Sequence, residues 1–387
     1  MSPSVSVPLR IWIRRESGNV RSARPRGDIL RPITRTRGVL FALALAATAG
    51  TAWPATSTAA EPVTGRATEP TAGPATGPAG AYGEPCVREQ LAVPAGTHRA
   101  EVYDADPTGR FQVGFTMDQD FAYHLIRWTD GVPEDLGTAR TGATGINAHG
   151  DIVGSEFDSE TYRSAGWLYR NGAFTELPGI EPGFDTLPTA VNEDGTVSGA
   201  SGAPGQRPVP VVWSADGAVR PLDLPPGDSG GRGTDIDADG TVVGWTVAGP
   251  DSSTHAARWS PDGTVERLPE HLPGPETGST AEAVAGGTVL GYEVYATGPT
   301  TILSWPKGAT GPDVLGAGEP QAVNRHGSVV VRTTPDTKLW LIRNGVTRSL
   351  PTDSTPFPTG EVAALTDDGI AYGRWNSTPV RWDCRLP

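Results

Sequence analysis

The chain has 387 residues, with 31 basic and 44 acidic side chains, a formal net charge of −13, 50 Gly, 37 Pro and two Cys. An acidic surface repels phosphate backbones and anionic lipid, which excludes nucleic acid and acidic membranes as natural partners. Gly and Pro at this density argue against long helices, because both destabilise helix interiors.

In chain order, residues 1–60 read as an export signal. A basic stretch (Arg21, Arg24, Arg26, Arg31, Arg35, Arg37) precedes the apolar run GVLFALALAATAG, and small-residue cleavage positions follow at Ala49 or within STAA up to Ala60. The apolar run is shorter than a comfortable membrane span and no stop-transfer pattern follows, so no membrane association is expected once the signal is removed. Residues 1–60 hold 9 Arg and 2 acids, leaving 22 basic against 42 acidic residues, a net of −20 for the exported part. The expected location is secreted, outside the cell. Residues 61–84, rich in Pro, Thr, Ala and Gly, cannot bury enough apolar surface to offset their ordering entropy and are expected to form a disordered tether. The folded part is expected over 85–387, as a monomer.

A segment then recurs: VYDADPTGRFQVG, GATGINAHGDIVG, TAVNEDGTVSG, GTDIDADGTVVG, AEAVAGGTVLG, PQAVNRHGSVVV and VAALTDDGIAYG. Its turn glycines are Gly109, Gly150, Gly195, Gly240, Gly287, Gly327 and Gly369, spaced by 41, 45, 45, 47, 40 and 42 residues. Three residues before the glycine stands Asp106, Asn147, Asn192, Asp237, Asn324 or Thr366, with Val284 the exception. A short polar side chain there can accept a backbone N–H two residues on, and the glycine supplies the positive φ that closes the turn. A second hairpin follows in each repeat, as in LIRWTDGVPEDLG, GWLYRNGAFTELPG, VVWSADGAVRPLDL, ARWSPDGTVERLPE and LWLIRNGVTRSLP, with D-G and N-G pairs suited to two-residue turns. ILSWPKGATGPDVLG fits the pattern less well. About four short strands, A to D, per 40–47 residues predict an all-β fold, a seven-bladed β-propeller of four-stranded blades.

The seventh copy, EVAALTDDGIAYGRWNSTPVRWDCRLP, supplies strands A to C only, and CVREQLAVPAG near residue 86 aligns with the strand D segment GAVRPLDLPPG. The N-terminal strand is therefore expected to complete the last blade and leave no open sheet edge. Cys86 and Cys384 fall beside the absent hairpin turn, so a disulfide is expected to replace that link, as export permits.

The segments TGINAHGDIVG, TAVNEDGTVSG and IRWTDGVPEDLG carry an A-x-x-[IV]-N-x-x-G-x-[VI]-x-G pattern followed by a W-x-x-G hairpin and DLG or LP. On these the chain, over 86–387, resembles bacterial secreted proteins with the HAF-type extracellular repeat. The resemblance implies a propeller-like fold and export, and no catalytic residues. The chain departs from it at AVAGGTVLG, without the Asn, and at SVVVRT, without the last Gly.

Connectivity puts the short A–B and C–D hairpins at one end of each blade and the variable B–C and D–A loops at the other, where binding residues are expected. Arg163, Arg207, Arg232 and His255 are the ligand-binding candidates on that face. Asp235, Asp237 and Asp239 before Gly240 match the front half of a calcium loop, where alternate carboxylates converge on Ca2+, although the later Glu is absent and turn chemistry also accounts for Asp237 and Asp239. No other cofactor is implied. The histidines show no metal spacing, and no nucleophile elbow, H-E-x-x-H, C-x-x-C or Walker loop occurs. The expected function is a non-catalytic exported scaffold binding an extracellular polysaccharide, cell-wall component or protein. The alternative is a secreted hydrolase, lyase or lactonase at the mouth of a central channel, supported by Asp104, Asp235 and Glu282, which the repeat places at one position.

Overall fold

The computed structural model describes residues 81–249, 253–272, 274, 277–296, 298–351 and 360–385. The stretches expected to form the export signal and nearly all of the expected tether therefore lie outside the described residues. The chain divides into two units, Met1–Val63 and Thr64–Pro387, and every described residue belongs to the second.

Strands are the only regular elements among the described residues. Sheet I holds Arg99–Ala105, Phe111–Met117, Tyr123–Thr129 and Val132–Asp135; sheet II holds Ala143–Ile146, Ile152–Asp158, Arg163–Arg170 and Ala173–Glu176. Sheet III holds Asp185–Val191, Val197–Gly202, Val209–Trp213 and Val219–Pro221; sheet IV holds Asp228–Ile236, Val242–Ala248, Ser253–Trp259 and Val265–Arg267. In each the strands pair antiparallel in chain order, A to D.

An eight-stranded sheet comes next, with Thr277–Ala285, Thr288–Tyr295, Thr301–Trp305, Asp313–Val323, Val329–Thr333, Leu339–Arg343 and Val346–Leu350 in order, and Ala81–Tyr82 at its far edge. Its long strand Asp313–Val323 pairs with Thr301–Ser304 through residues 313–317 and with Val329–Thr333 through residues 318–323. Ala81–Tyr82 pair parallel with Val346–Thr347, so ordered pairing begins inside the stretch whose composition reads as tether. The terminal sheet holds Gly360–Leu365, Ile370–Trp375 and Thr378–Asp383, with Val87–Gln90 as its fourth strand, antiparallel to Val380–Asp383. Cys86 and Cys384 are bonded, with Cα atoms 4.5 Å apart across a sequence separation of 298.

The apolar alternation of the strands is spent between sheets. Phe111, Val113 and Leu125 of sheet I meet Ile146, Ile152 and Trp167 of sheet II, and comparable clusters join II to III, III to IV and IV to the eight-stranded sheet. One further cluster joins the eight-stranded sheet to the terminal sheet and the disulfide. Another joins Ala364, Ile370 and Tyr372 of the terminal sheet to Val102, Ala105, Ile126 and Trp128 of sheet I. The same seam carries Arg374 Nη1–Glu101 Oε1 at 3.3 Å and the Asp367 N–H donating to Pro107 O at 2.9 Å.

Three repeated devices explain the motif. The polar turn residue reaches beyond its own turn: Asn147 Oδ1 accepts the His149 N–H at 3.1 Å, while its Nδ2 donates to Asn192 O of the next sheet at 2.9 Å. Asn192 Nδ2 likewise donates to Asp237 O at 3.4 Å, Asn324 Nδ2 donates to Thr366 O at 2.9 Å, and Asp237 accepts the Gly286 and Gly287 N–H groups at 3.1 and 2.7 Å. The last Gly of the motif lies against a bulge in strand A. A Cβ at Gly114, Gly154, Gly199, Gly244, Gly291 or Gly373 would sit 1.9–2.4 Å from an innermost-strand carbonyl oxygen, which no side chain allows. In the copy that lacks this Gly, Val331 occupies the place, opposite Pro320.

The third device is the Trp ending strand C. Trp128, Trp213, Trp259, Trp305 and Trp382 are buried, and their Nε1–H groups donate to Ala92, Pro178, Asp223, Pro269 and Pro351 carbonyls in the loop leading into or preceding their own unit, at 2.6–3.2 Å. A buried indole gains from such a partner, and these five bonds tie their loops to core tryptophans, whereas the buried Trp167 Nε1 of sheet II has no hydrogen-bond partner among the described residues.

Candidate functional site

With the turn residues engaged at the hairpin end, the B–C and D–A connections emerge at the other end. Three of the four ligand candidates are there, each already held by its own loops. Arg163, opening strand C of sheet II, donates from Nε to Asp185 Oδ1 at 2.6 Å and from Nη2 to Gly183 O, so it braces the incoming loop of sheet III. Arg207 donates to Ser229 Oγ at 2.6 Å, and its stem lies under Gly230. Both clamp the B–C side of one sheet to the start of strand A in the next.

Arg232 is on innermost strand A of sheet IV, paired with Trp245. Burial pulls its guanidinium pKa down to about 10, with the nearby Glu282 carboxylate working the other way, and its buried Nε has no hydrogen-bond partner. A charge held in this way is a liability for stability and marks a position where a bound anion or carbonyl could complete the shell. At the equivalent register positions stand Glu101, Glu319 and Glu361. These three are neutralised by arginines: Arg332 contacts Glu319, Arg374 contacts Glu361 and Glu101, and Arg99 contacts Glu101.

His255 is clustered with Ser253 and Glu270. Strand alternation puts Ser253 and His255 on one face of strand C in sheet IV, and the D–A loop brings Glu270 beside them. His255 Nδ1 lies 2.7 Å from Glu270 Oε1 and its Nε2 lies 3.2 Å from Ser253 Oγ; the His and Glu side chains are 18% and 13% exposed. Fully buried Glu293 lies in the next unit, where it accepts the His271 N–H at 2.5 Å and the Tyr295 hydroxyl at 2.6 Å. Burial, then the hydrogen bond to Glu293, raises the Tyr295 pKa above its ordinary value. Sequence reasoning found His255 and missed Ser253, Glu270, Glu293 and Tyr295. The i, i+2 relation of Ser253 to His255 was visible, whereas the contact with Glu270 depends on how the D–A loop folds back.

The acids proposed for a channel-mouth site divide. Asp104 and Asp235 occupy one register position, and each accepts an N–H from the neighbouring sheet, Ile146 at 3.0 Å and Val284 at 2.9 Å. Glu282 does not share it: it is the bulged residue between Ala281 and Ala283, one place earlier, because the turn here is tighter, with Ala285 pairing Thr288 across Gly286 and Gly287, while sheets I and IV carry the same bulge. The calcium-loop residues are likewise used by backbone. Asp235 accepts the Val284 and Ile236 N–H groups, Asp237 those of Ala238, Gly286 and Gly287, and Asp239 that of Thr241. Among the described residues no group of three or more His, Cys, Asp or Glu side chains is arranged to hold a metal ion. A shallow depression lined by Asp239, Thr241, Arg258, Ser260, Gly287 and Lys307 lies at the hairpin end, away from the variable loops.

No protein-family model matches the chain, and no curated protein sequence matches it. Solved structures do. The β-propeller domain of the trilobed protease from Pyrococcus furiosus, described as having an open velcro topology, superposes with a TM-score of 0.51 at 13% identity, over 75% of this chain and 95% of that one. Virginiamycin B lyase from Staphylococcus aureus, solved with quinupristin, gives a TM-score of 0.47 at 13% identity over 77% and 99% of the two chains. A puromycin-hydrolyzing peptidase from Mycobacterium tuberculosis gives 0.48 at 16% identity, over 78% of this chain and 52% of its own length. At such an identity the likeness to the protease propeller shows the fold alone: the chain is an all-β propeller.

Proposed function

We propose that this propeller is an exported scaffold of seven blades that binds an extracellular polysaccharide, cell-wall component or protein through the loop end of its sheets. The blade count takes the eight-stranded sheet as two blades sharing the strand Asp313–Val323, which is outermost in one and innermost in the next. Closure of the ring is supported by Val87–Gln90 in the terminal sheet, by the Cys86–Cys384 bond and by the cluster joining the terminal sheet to sheet I. A disulfide across the seam suits an oxidising compartment, in keeping with the export signal and with the HAF-type repeat resemblance.

The observation that carries the binding reading is the division of labour between the two ends. At the hairpin end the turn side chains are committed from sheet to sheet, as in Asn147 to Asn192 and Asn324 to Thr366, whereas the loop end carries segments of unequal length and composition on that rigid base. Attachment of a biotin at the hairpin end, through Asp239→Cys, is expected to leave capture of glycans and proteins from an array intact, and attachment at Gln206→Cys on the loop end to block it. Equal capture in both orientations would overturn the assignment of the face.

A second reading, a secreted hydrolase, is favoured by one observation: Ser253 Oγ, His255 and Glu270 stand in hydrogen-bond series. With Glu270 holding the Nδ1 proton, Nε2 can take the Ser253 proton as the oxygen attacks an ester carbonyl, and can return it to the leaving alkoxide. Incubation with a fluorophosphonate probe is expected on this reading to label Ser253, with labelling and turnover of aryl esters absent in Ser253→Ala. An unlabelled wild-type protein would remove it.

A further inference from the structure

Ten large apolar side chains are exposed among the described residues, and four of them crowd two loops. Phe121, 68% exposed, lies in the B–C connection of sheet I, with Tyr123, 45% exposed, opening strand C, and Tyr162, 74% exposed, lies in that of sheet II, with Phe157, 62% exposed, near the end of strand B. The two sheets are neighbours through a shared apolar cluster, so the topology places both aromatic pairs on the loop end of adjacent sheets.

Both loops are built to hold a ring outward. Phe121 and Tyr162 have φ of 65° and 55°, a left-handed conformation that bulky residues rarely adopt. Strain of this kind persists only where the surroundings enforce it, and it concentrates at ligand clamps. Here the enforcing groups are equivalent aspartates. Asp118 Oδ1 accepts the Asp120 and Ala122 N–H groups, both at 2.9 Å; Asp158 accepts the Glu160 N–H at 2.8 Å and the Thr161 hydroxyl at 2.6 Å. The Ala122 N–H in the first case and the Thr161 hydroxyl in the second lead in holding these carboxyls below their usual pKa. Tyr123 is backed by Phe115 at 5.1 Å and Phe115 by Tyr103 at 5.4 Å, while Phe157 and Tyr162 meet edge-on at 6.2 Å.

We propose that these two ring pairs form a stacking platform for a neutral, hydroxyl-rich polysaccharide. The inference rests on the ligand-binding reading and names its ligand class and its place. The chemistry between the rings selects the occupant. Gln119, Asp120, Ser159, Glu160 and Thr161 are exposed polar residues that can exchange hydrogen bonds with sugar hydroxyls, and the exposed apolar residues of both loops are all aromatic. Ring faces suit the C–H faces of pyranoses. A protein partner would be met by an apolar core depleted in charge, not by carboxylates set among the rings. The net charge of −13 disfavours anionic polymers.

The test uses the full exported chain and insoluble cellulose, chitin and xylan as probes. Retention on at least one is expected, resistant to 0.5 M salt in line with an uncharged interface (about a 4 Å Debye length at that strength), and reversed by the matching soluble oligosaccharide. The double variant Phe121→Gly/Tyr162→Gly keeps the left-handed backbone without the rings, so it should melt no lower than wild type yet lose at least tenfold in retention. Phe121→Asn/Tyr162→Asn, also compatible with that backbone, provides a second readout. Undiminished retention by both variants would overturn the platform and leave the general binding reading standing. Loss of retention in salt, or capture of a polylysine peptide or a protein through the same rings, would overturn the ligand class. Failure to retain any glycan while binding no protein ligand would overturn both readings.

Discussion

Cutting the Cys86–Cys384 bridge, by reduction or as C86S/C384S, is expected to lower the unfolding free energy by about 2–5 kcal/mol. The bridge closes a loop across a sequence separation of 298, for which the chain-entropy relation gives roughly 5–6 kcal/mol as an upper figure. What the strand Val87–Gln90 itself supplies without the bridge is slight. Val87–Gln90 is a four-residue strand, exposed along most of its length, and its Glu89–Arg381 ion pair is half in solvent. Such a pair contributes little. Loss of the strand would bare the edge of Thr378–Asp383, an invitation to intermolecular pairing. Urea unfolding with and without reductant, at matched slope, checks the stability, and size-exclusion chromatography checks the edge. Midpoints that coincide, with no new oligomer, would mean that the seam is held by something else.

Arg374→Met should cost about 3 kcal/mol, the scale for breaking one side of a buried ion pair. Arg374 donates from Nη2 to Glu361 Oε2 at 2.7 Å within the terminal sheet and approaches Glu101 Oε1 of sheet I at 3.3 Å. Burial opposes its charge, but Glu361 and Glu101 outweigh that and hold its pKa above the ordinary arginine value. Glu101 is buried as well, so removing the guanidinium leaves Glu361 unpaired and Glu101 dependent on Arg99 alone. The double variant Arg374→Met/Glu361→Gln should recover part of the loss, because the stranded charge goes with its partner. Equal melting of Arg374→Met and wild type would show that this network does not hold the two sheets together.

The repeat carried most of the architecture. Period, turn glycine and polar turn residue foretold the hairpins because those conformations are local. Gly109, Gly150, Gly195 and their counterparts do adopt positive φ. The pairing of Val87–Gln90 with Val380–Asp383 and the Cys86–Cys384 bond followed from counting strands. The shared strand Asp313–Val323 was not legible, since GPDVLGAGEPQAV runs from one unit to the next with no local signal for where it stops. The site was less legible still. Arg163 and Arg207 were chosen for charge on a variable loop, but guanidiniums there found loop carbonyl, carboxylate and hydroxyl partners first. Asp235 and Asp237 match a calcium loop because alternate acids are read as convergent, and in the fold each carboxylate also accepts backbone N–H groups of the next sheet, a use the sequence does not signal. Phe121 and Tyr162 gave no warning, as their left-handed backbone follows from loop closure rather than from residue type.

The strand Asp313–Val323 has a mechanical corollary. Elsewhere neighbouring sheets meet through side chains and isolated main-chain bonds such as Asp367 N–H to Pro107 O, whereas here main-chain ladders on both halves of one segment weld two of them. Residues 277–350 should therefore behave as a single cooperative block in local opening, and any movement between sheets would have to be taken up at the other joints.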